Sequence, residues 1–243
     1  MTSQTVCIIQ ARMGSTRLSG KVLQPILGRP MLWWVMHRVQ QARLLGKVVI
    51  ATTTEPADDA IVALCERHGW STFRGSEQDV LDRYYQAAQQ YGADVVVRIT
   101  SDCPLIDPWV IDYTISAHLS AAPQVDYTSN SIDRTYPRGL DTEAFSMDAL
   151  RRCWRDATLP PEREHVTYYM YRHPERFNLL PVTNQVDYAR HRWTVDTPED
   201  MELVQRVYQH FGHGDFHWRE VLALLEAHPD WIQINQHIEQ KKV

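Results

Sequence analysis

Short runs rich in β-branched residues alternate with longer helix-forming stretches through the first half of the chain, and this rhythm restricts the fold more than any other feature. Thr5–Gln10, Lys47–Thr53, Ser71–Arg74 and Asp94–Thr100 read as strands. Helices are expected between them, near Pro30–Arg43, Pro56–His68, Glu77–Tyr91 and Pro108–Leu119. Several have start signals, such as Arg29-Pro30 and Glu55-Pro56-Ala57-Asp58-Asp59, where proline and acidic residues suit the positive end of a helix. Strands joined by helical crossovers imply an α/β fold: a Rossmann-like, mainly parallel sheet with helices on both faces.

The rhythm breaks at about 125–184, which we read as an insertion that caps the sheet. It contains Tyr127-Thr128-Ser129-Asn130, a polar turn around Tyr136-Pro137-Arg138-Gly139, a strand-like Leu140–Phe145 and helices near Met147–Ala157 and Pro161–His173. Arg192–Asp196 then reads as a strand end, followed by a helix opened by Thr197-Pro198-Glu199-Asp200. The expected organisation is a single domain over residues 1–243 with that inserted subregion.

With 243 residues the chain can bury a sizeable core. Its four cysteines, Cys7, Cys65, Cys103 and Cys153, form no C-x-x-C pair, so reduced thiols and a cytoplasmic location are expected. No basic stretch precedes an apolar core at Met1-Thr2-Ser3-Gln4, and no apolar run approaches a membrane span, so no membrane partner is expected. A formal charge of −5 gives no global basic field, which argues against a nucleic-acid partner.

Positive charge is instead local. Gln10-Ala11-Arg12-Met13-Gly14-Ser15-Thr16-Arg17-Leu18-Ser19-Gly20-Lys21 follows the apolar run Val6–Ile9 and mixes cations with glycines and hydroxyls. At the carboxyl end of a strand, with a helix after it, such a loop suits polyphosphate. A solvated basic turn is the plainer alternative. Asp102 and Asp196 each sit just past an expected strand, where two carboxylates beside a phosphate loop suit Mg²⁺. Each also reads as a helix or turn cap. Asp141 and Glu143 would share one face of a strand, suited to polyol hydroxyls, with Arg138 as a fork for a carboxylate; an ordinary turn and exposed strand is the alternative. Glu164 and His165, adjacent on a helix, would point apart. His210, His213 and His217 are interrupted by glycines and lack a nearby cysteine, a poor zinc pattern. Nucleophile-elbow and P-loop motifs are absent.

The chain from Ile8 to Lys21 resembles the opening signature of the acidic-sugar cytidylyltransferases, which include the 3-deoxy-manno-octulosonate and acylneuraminate enzymes, and within them the branch typified by spore coat polysaccharide biosynthesis protein F. The resemblance continues through Ala51-Thr52-Thr53, Gly75–Arg83, Thr100–Leu105, Arg138–Glu143, Arg163–Val166 and Val195–Asp200. It implies a nucleotide-diphospho-sugar transferase fold of the GT-A kind, CTP as donor, an acidic sugar as acceptor, Mg²⁺, and a homodimer formed through the inserted segment. It also assigns roles. Gln10, Ala11, Arg12, Met13, Gly14, Ser15 and Lys21 would hold the base and triphosphate, with Thr52, Thr53, Ser76, Asp79, Arg83, Thr100 and Ser101 completing the nucleotide site. Asp102 and Asp196 would hold metal and, with Arg12 and Lys21, carry catalysis. Arg138, Gly139, Asp141, Glu143, Glu164 and His165 would face the acceptor. A nucleotidyltransferase for sugar phosphates, a metal-dependent glycosyltransferase and a non-catalytic nucleotide-binding subunit are the alternatives; the second would want an Asp-x-Asp motif that Asp102 does not supply.

Overall fold

The computed structural model describes residues 3–240. In chain order its strands and helices are β1 (Thr5–Gln10), a two-residue hairpin β2 (Pro25–Ile26) and β3 (Arg29–Pro30), α1 (Met31–Val39), β4 (Lys47–Thr53), α2 (Asp59–His68), β5 (Ser71–Gly75), α3 (Val80–Gln90), β6 (Val95–Thr100) and α4 (Pro108–Ala121). There follow β7 (Tyr127–Ser129), β8 (Glu143–Ser146), α5 (Met147–Asp156), α6 (Pro160–Glu164), α7 (Tyr168–Arg172), β9 (Leu179–Pro181), α8 (Pro198–Phe211), α9 (Trp218–Ala227) and α10 (Pro229–Ile232).

Seven strands form one sheet in the order β5-β4-β1-β6-β8-β7-β9. The first four are parallel, β8 runs antiparallel to both β6 and β7, and β9 is parallel to β7. The inserted segment thus joins the sheet as three strands instead of lying over it as a cap. Alternate side chains of the central strands feed two cores. Cys7 and Ile9 pack with α1, α4, α8 and α9 on one face, and Val6 and Ile8 with α3 and α5 on the other. β1 lies between β4 and β6, with Gln10 level with Ala51 on one side and Thr100 on the other. The chain leaves β1 toward one neighbour and returns beside the other, so a crevice opens at this carboxyl edge, where α/β sheets bind ligands.

Three local expectations change. The Glu77–Tyr91 helix starts at Val80, because the Asp79 carboxylate caps it by accepting from the Asp82 N–H at 2.8 Å. Pro161–His173 is two short helices broken at His165, whose φ of −109° and ψ of 84° are not helical. Arg192–Asp196 is extended but makes only a single bridge, Arg192 with Arg138. It runs between two loops: Trp193 N–H donates to the Arg138 carbonyl at 2.7 Å and Val195 N–H to the Asp102 carbonyl at 2.8 Å. Gly139, at φ +102°, permits that approach. A Cβ there would lie 2.7 Å from the Trp193 carbonyl carbon.

Candidate active site

A cleft of about 840 Å³ opens at the carboxyl edge of β1 and β6 and extends over the inserted segment. It is lined by Gln10, Ala11, Arg12, Gly14, Ser15, Lys21, Arg83, Thr100, Ser101, Asp102 and Asp196 from the expected nucleotide and metal sets. Arg138, Asp141, Glu143, Glu164 and His165 line it too. The break at His165 explains the last pair, since on a continuous helix these neighbours would diverge. Asp141 and Glu143 do not share a strand face, because β8 begins only at Glu143. They meet the cleft from a loop and from the strand's first residue.

Six expected residues do not line the cleft. Thr52, Thr53 and Met13 instead meet Asp58, a carboxylate that sequence reasoning took for part of a helix start. Asp58 Oδ2 accepts from Thr52 Oγ1 at 3.0 Å and from the Thr53 N–H at 3.1 Å, and Oδ1 accepts from the Met13 N–H at 2.7 Å. Burial alone would raise the pKa of this acid; the hydrogen bonds outweigh it and hold the group below its ordinary value. Asp58 thereby anchors the base of the phosphate loop to the end of β4. Ser76 Oγ accepts from the Asp79 N–H at 3.0 Å, and Asp79 holds Arg163 through a forked pair with contacts of 2.6–3.1 Å. Ser76 and Asp79 therefore tie α3 to α6. Gly139 serves the close approach to Trp193.

The expected helix after the loop is only a three-residue 3-10 turn, Lys21–Leu23, so side-chain cations supply the loop's charge instead of a helix end. Its geometry is set by Gly20 at φ +63°, whose N–H donates to the Met13 carbonyl at 3.1 Å. Lys21 Nζ donates to Asp102 Oδ2 at 3.0 Å, Asp196 Oδ1 at 2.9 Å and the Val195 carbonyl at 2.7 Å. Burial would lower the Lys21 pKa, but Asp102 and Asp196 outweigh it and raise it. Burial likewise pushes Asp102 up, and Lys21 with the Thr100 and Cys103 side chains more than reverses the push. Asp196 Oδ2 meets Arg17 and Arg192, each at 2.9 Å. Arg192 also pairs with Asp200, and Asn235 donates to both the Arg192 carbonyl and Asp200.

Two carboxylates gripping a common atom from separate loops are a donor set that fits a small hard cation, with phosphate oxygens and water completing its shell. Asp102 and Asp196 would hold it.

Sequence reasoning passed over Arg98, Arg134, Arg192, Thr167 and Tyr171. Arg98 had a signal, a lone arginine inside the apolar strand β6. It pairs with Glu143 and donates to Gln10 Oε1 at 3.2 Å, while Thr167 Oγ1 donates to Glu143 at 2.6 Å. Arg134 pairs with Asp141. Arg138 differs from both: among the described residues its guanidinium has no hydrogen-bond or ion-pair partner. Burial lowers its pKa, and Arg134 and Arg192 lower it further, with Asp141 opposing.

Residues 6–220 match the cytidylyltransferase family. Spore coat polysaccharide biosynthesis protein SpsF of Bacillus subtilis is 36% identical over 231 residues, covering 92% of this chain and 94% of that protein. A 3-deoxy-manno-octulosonate cytidylyltransferase of Koribacter versatilis is 28% identical over 186 residues, covering 71% and 70%. The solved structure of a cytidylyltransferase from Leptospira borgpetersenii superposes with a TM-score of 0.93 at 34% identity, covering 98% of this chain and all of that one.

Proposed function

The chain belongs to the cytidylyltransferase family, and from that premise we propose that it transfers CMP from CTP to an acidic sugar of the 3-deoxy-octulosonate or nonulosonate kind, in the cytoplasm, for surface polysaccharide or glycan synthesis. Mg²⁺ and a homodimer belong to this reading. A sugar hydroxyl oxygen bonds to the α-phosphorus, the bond from that phosphorus to the bridging oxygen breaks, and pyrophosphate leaves while the hydroxyl loses its proton. Because negative charge gathers on the leaving group, the protein's chief work is to position and neutralise. Mg²⁺ held by Asp102 and Asp196 would supply charge neutralisation at the phosphates when bound. Arg12, Arg17 and Lys21 face that end of the cleft with positive charge, and Gly14 and Ser15 line it beside them. At the other end, Glu143 and Asp141 offer oxygens to hydroxyls, already oriented by Arg98 and Arg134.

The observation that carries the acceptor class is the Arg138 guanidinium, which lines the cleft and, among the described residues, has no hydrogen-bond or ion-pair partner. Burial and two neighbouring arginines make its charge costly, and an entering carboxylate relieves that cost with a forked pair. The name of the Koribacter relative is consistent with such an acceptor. The test is pyrophosphate release with CTP and paired acceptors that differ only in the carboxylate. Acid acceptors are expected to be preferred by roughly a hundredfold, and Arg138→Lys should lose most of that preference because a point charge cannot reproduce the fork. Equal use of neutral or phosphorylated acceptors would replace this reading with a sugar-phosphate nucleotidyltransferase.

A further inference from the structure

An ammonium group has three hydrogens to donate, and those of Lys21 are all spent: on Asp102 Oδ2, Asp196 Oδ1 and the Val195 carbonyl, at 2.7–3.0 Å. In this state the lysine has nothing left for a phosphate, and one oxygen of each carboxylate is already bridged by its ammonium. The charges also close without any ligand. Lys21, Arg17 and Arg192 stand against Asp102, Asp196 and Asp200 in one contiguous cluster. A bare divalent cation entering here would have to displace the ammonium and leave a surplus of two positive charges in a partly buried place. Coulomb repulsion makes that unfavourable unless an anion arrives as well. A nucleoside triphosphate supplies that anion, and its oxygens are also the acceptors a displaced ammonium needs.

We propose that Lys21 is a resident counter-ion for Asp102 and Asp196, which gives up the two carboxylates to a divalent cation only when a nucleoside triphosphate enters and takes over its hydrogen bonds. The free chain therefore rejects the metal, and metal and nucleotide enter together. This rests on the reading of Asp102 and Asp196 as the metal pair. It gives the lysine two stations, one on the acids and one on the phosphates, and makes the same side chain gate the metal site and hold the donor. No covalent step is involved.

The test reads metal binding instead of turnover, with Mn²⁺ followed by its electron paramagnetic resonance signal. Without nucleotide, the wild-type protein should bind Mn²⁺ at least about tenfold more weakly than Lys21→Met, in which the ammonium between the two acids is gone, while Lys21→Arg should stay weak like wild type. Adding CTP without acceptor should bring Mn²⁺ onto the wild-type protein. If wild type and Lys21→Met bind the metal alike in the absence of CTP, the lysine gates nothing and the proposal falls. If CTP fails to recruit Mn²⁺ to wild type, the metal pair itself is wrong, a separate failure. Should Lys21→Met not fold, the wild-type Lys21 side-chain ¹⁵N resonance replaces it. That signal should shift on adding Mg²⁺ with CTP and stay put with Mg²⁺ alone, and a shift with Mg²⁺ alone overturns the proposal.

Discussion

Asp102 and Asp196 share one lysine but live in different electrostatic company, and that separates the effects of removing them. Asp196 answers Lys21, Arg17 and Arg192, with its side chain 12% exposed, whereas Asp102 answers Lys21 alone and is 26% exposed. Asp102→Asn and Asp196→Asn should each lower turnover about a hundredfold, roughly 3 kcal/mol of lost charge stabilisation. Only Asp196→Asn should also cost stability, by about 1–3 kcal/mol, because it takes one of two carboxylates from each of the buried cations Lys21 and Arg192. Steady-state rates at saturating CTP and denaturant titrations measure the two. A wild-type rate for either variant at limiting Mg²⁺ makes that aspartate a structural residue. His191 supplies a pH dependence. Burial, aided by Arg190, pushes its pKa down to about 4, below the ordinary value of an unfolded chain. The unfolded state therefore binds the proton first as pH falls, so stability is lost between about pH 6.5 and 4. His191→Gln should flatten the slope of melting temperature against pH in that window; an unchanged slope removes His191 as its source.

Among the elements, the parallel strands were the most legible, because β-branched runs bounded by turn residues have few other uses. β1 and β4 keep their expected limits. The segments that carry Asp196 and His165 depart from the expected strand and continuous helix, since what holds them is contact with distant parts of the chain and not local propensity. Gly139→Ala tests this for the Asp196 segment. A methyl group 2.7 Å from the Trp193 backbone must push the segment away, and at φ +102° the alanine is strained as well. Stability should fall by about 2 kcal/mol or more, and turnover should fall at least tenfold as Asp196 shifts from Lys21. Near-normal turnover would show that the segment relocates without consequence. The segment after α10 acts on the same site from beyond the family match. Asn235 is buried against Arg192 and Asp200, and Gln240 accepts from Arg192 at 2.6 Å and lines the cleft. Asn235→Ala should raise the Mg²⁺ concentration needed for half-maximal rate severalfold, with excess Mg²⁺ restoring the rate; a loss that metal cannot rescue makes Asn235 a packing residue only.

At the scale of the whole molecule the cleft spans the parallel half of the sheet and the inserted strands, so a ligand that fills it ties the two together. CTP with Mg²⁺ at about a hundred times its dissociation constant should add about 2.7 kcal/mol of stability. In a chain of this size that raises the melting temperature by roughly 5–10 °C. UTP at the same concentration should raise it less, and equal shifts would deny a cytosine preference. Light scattering should give twice the 28.3 kDa chain mass for the homodimer. The sequence by itself determined the parallel core and the position of the basic loop, because strand propensity, turn residues and the carboxyl-edge rule are local or generic. It also placed Asp102 on that edge, since that acid comes just after the apolar run of β6. The tertiary structure alone decided which side chains meet. Asp58 drew Thr52, Thr53 and Met13 away from the cleft, Arg98 and Arg134 oriented Glu143 and Asp141, and Lys21 settled between Asp102 and Asp196. Pairings of that kind join residues from 5 to 175 positions apart, and a hydrogen bond is sensitive to tenths of an ångström that no residue spacing encodes.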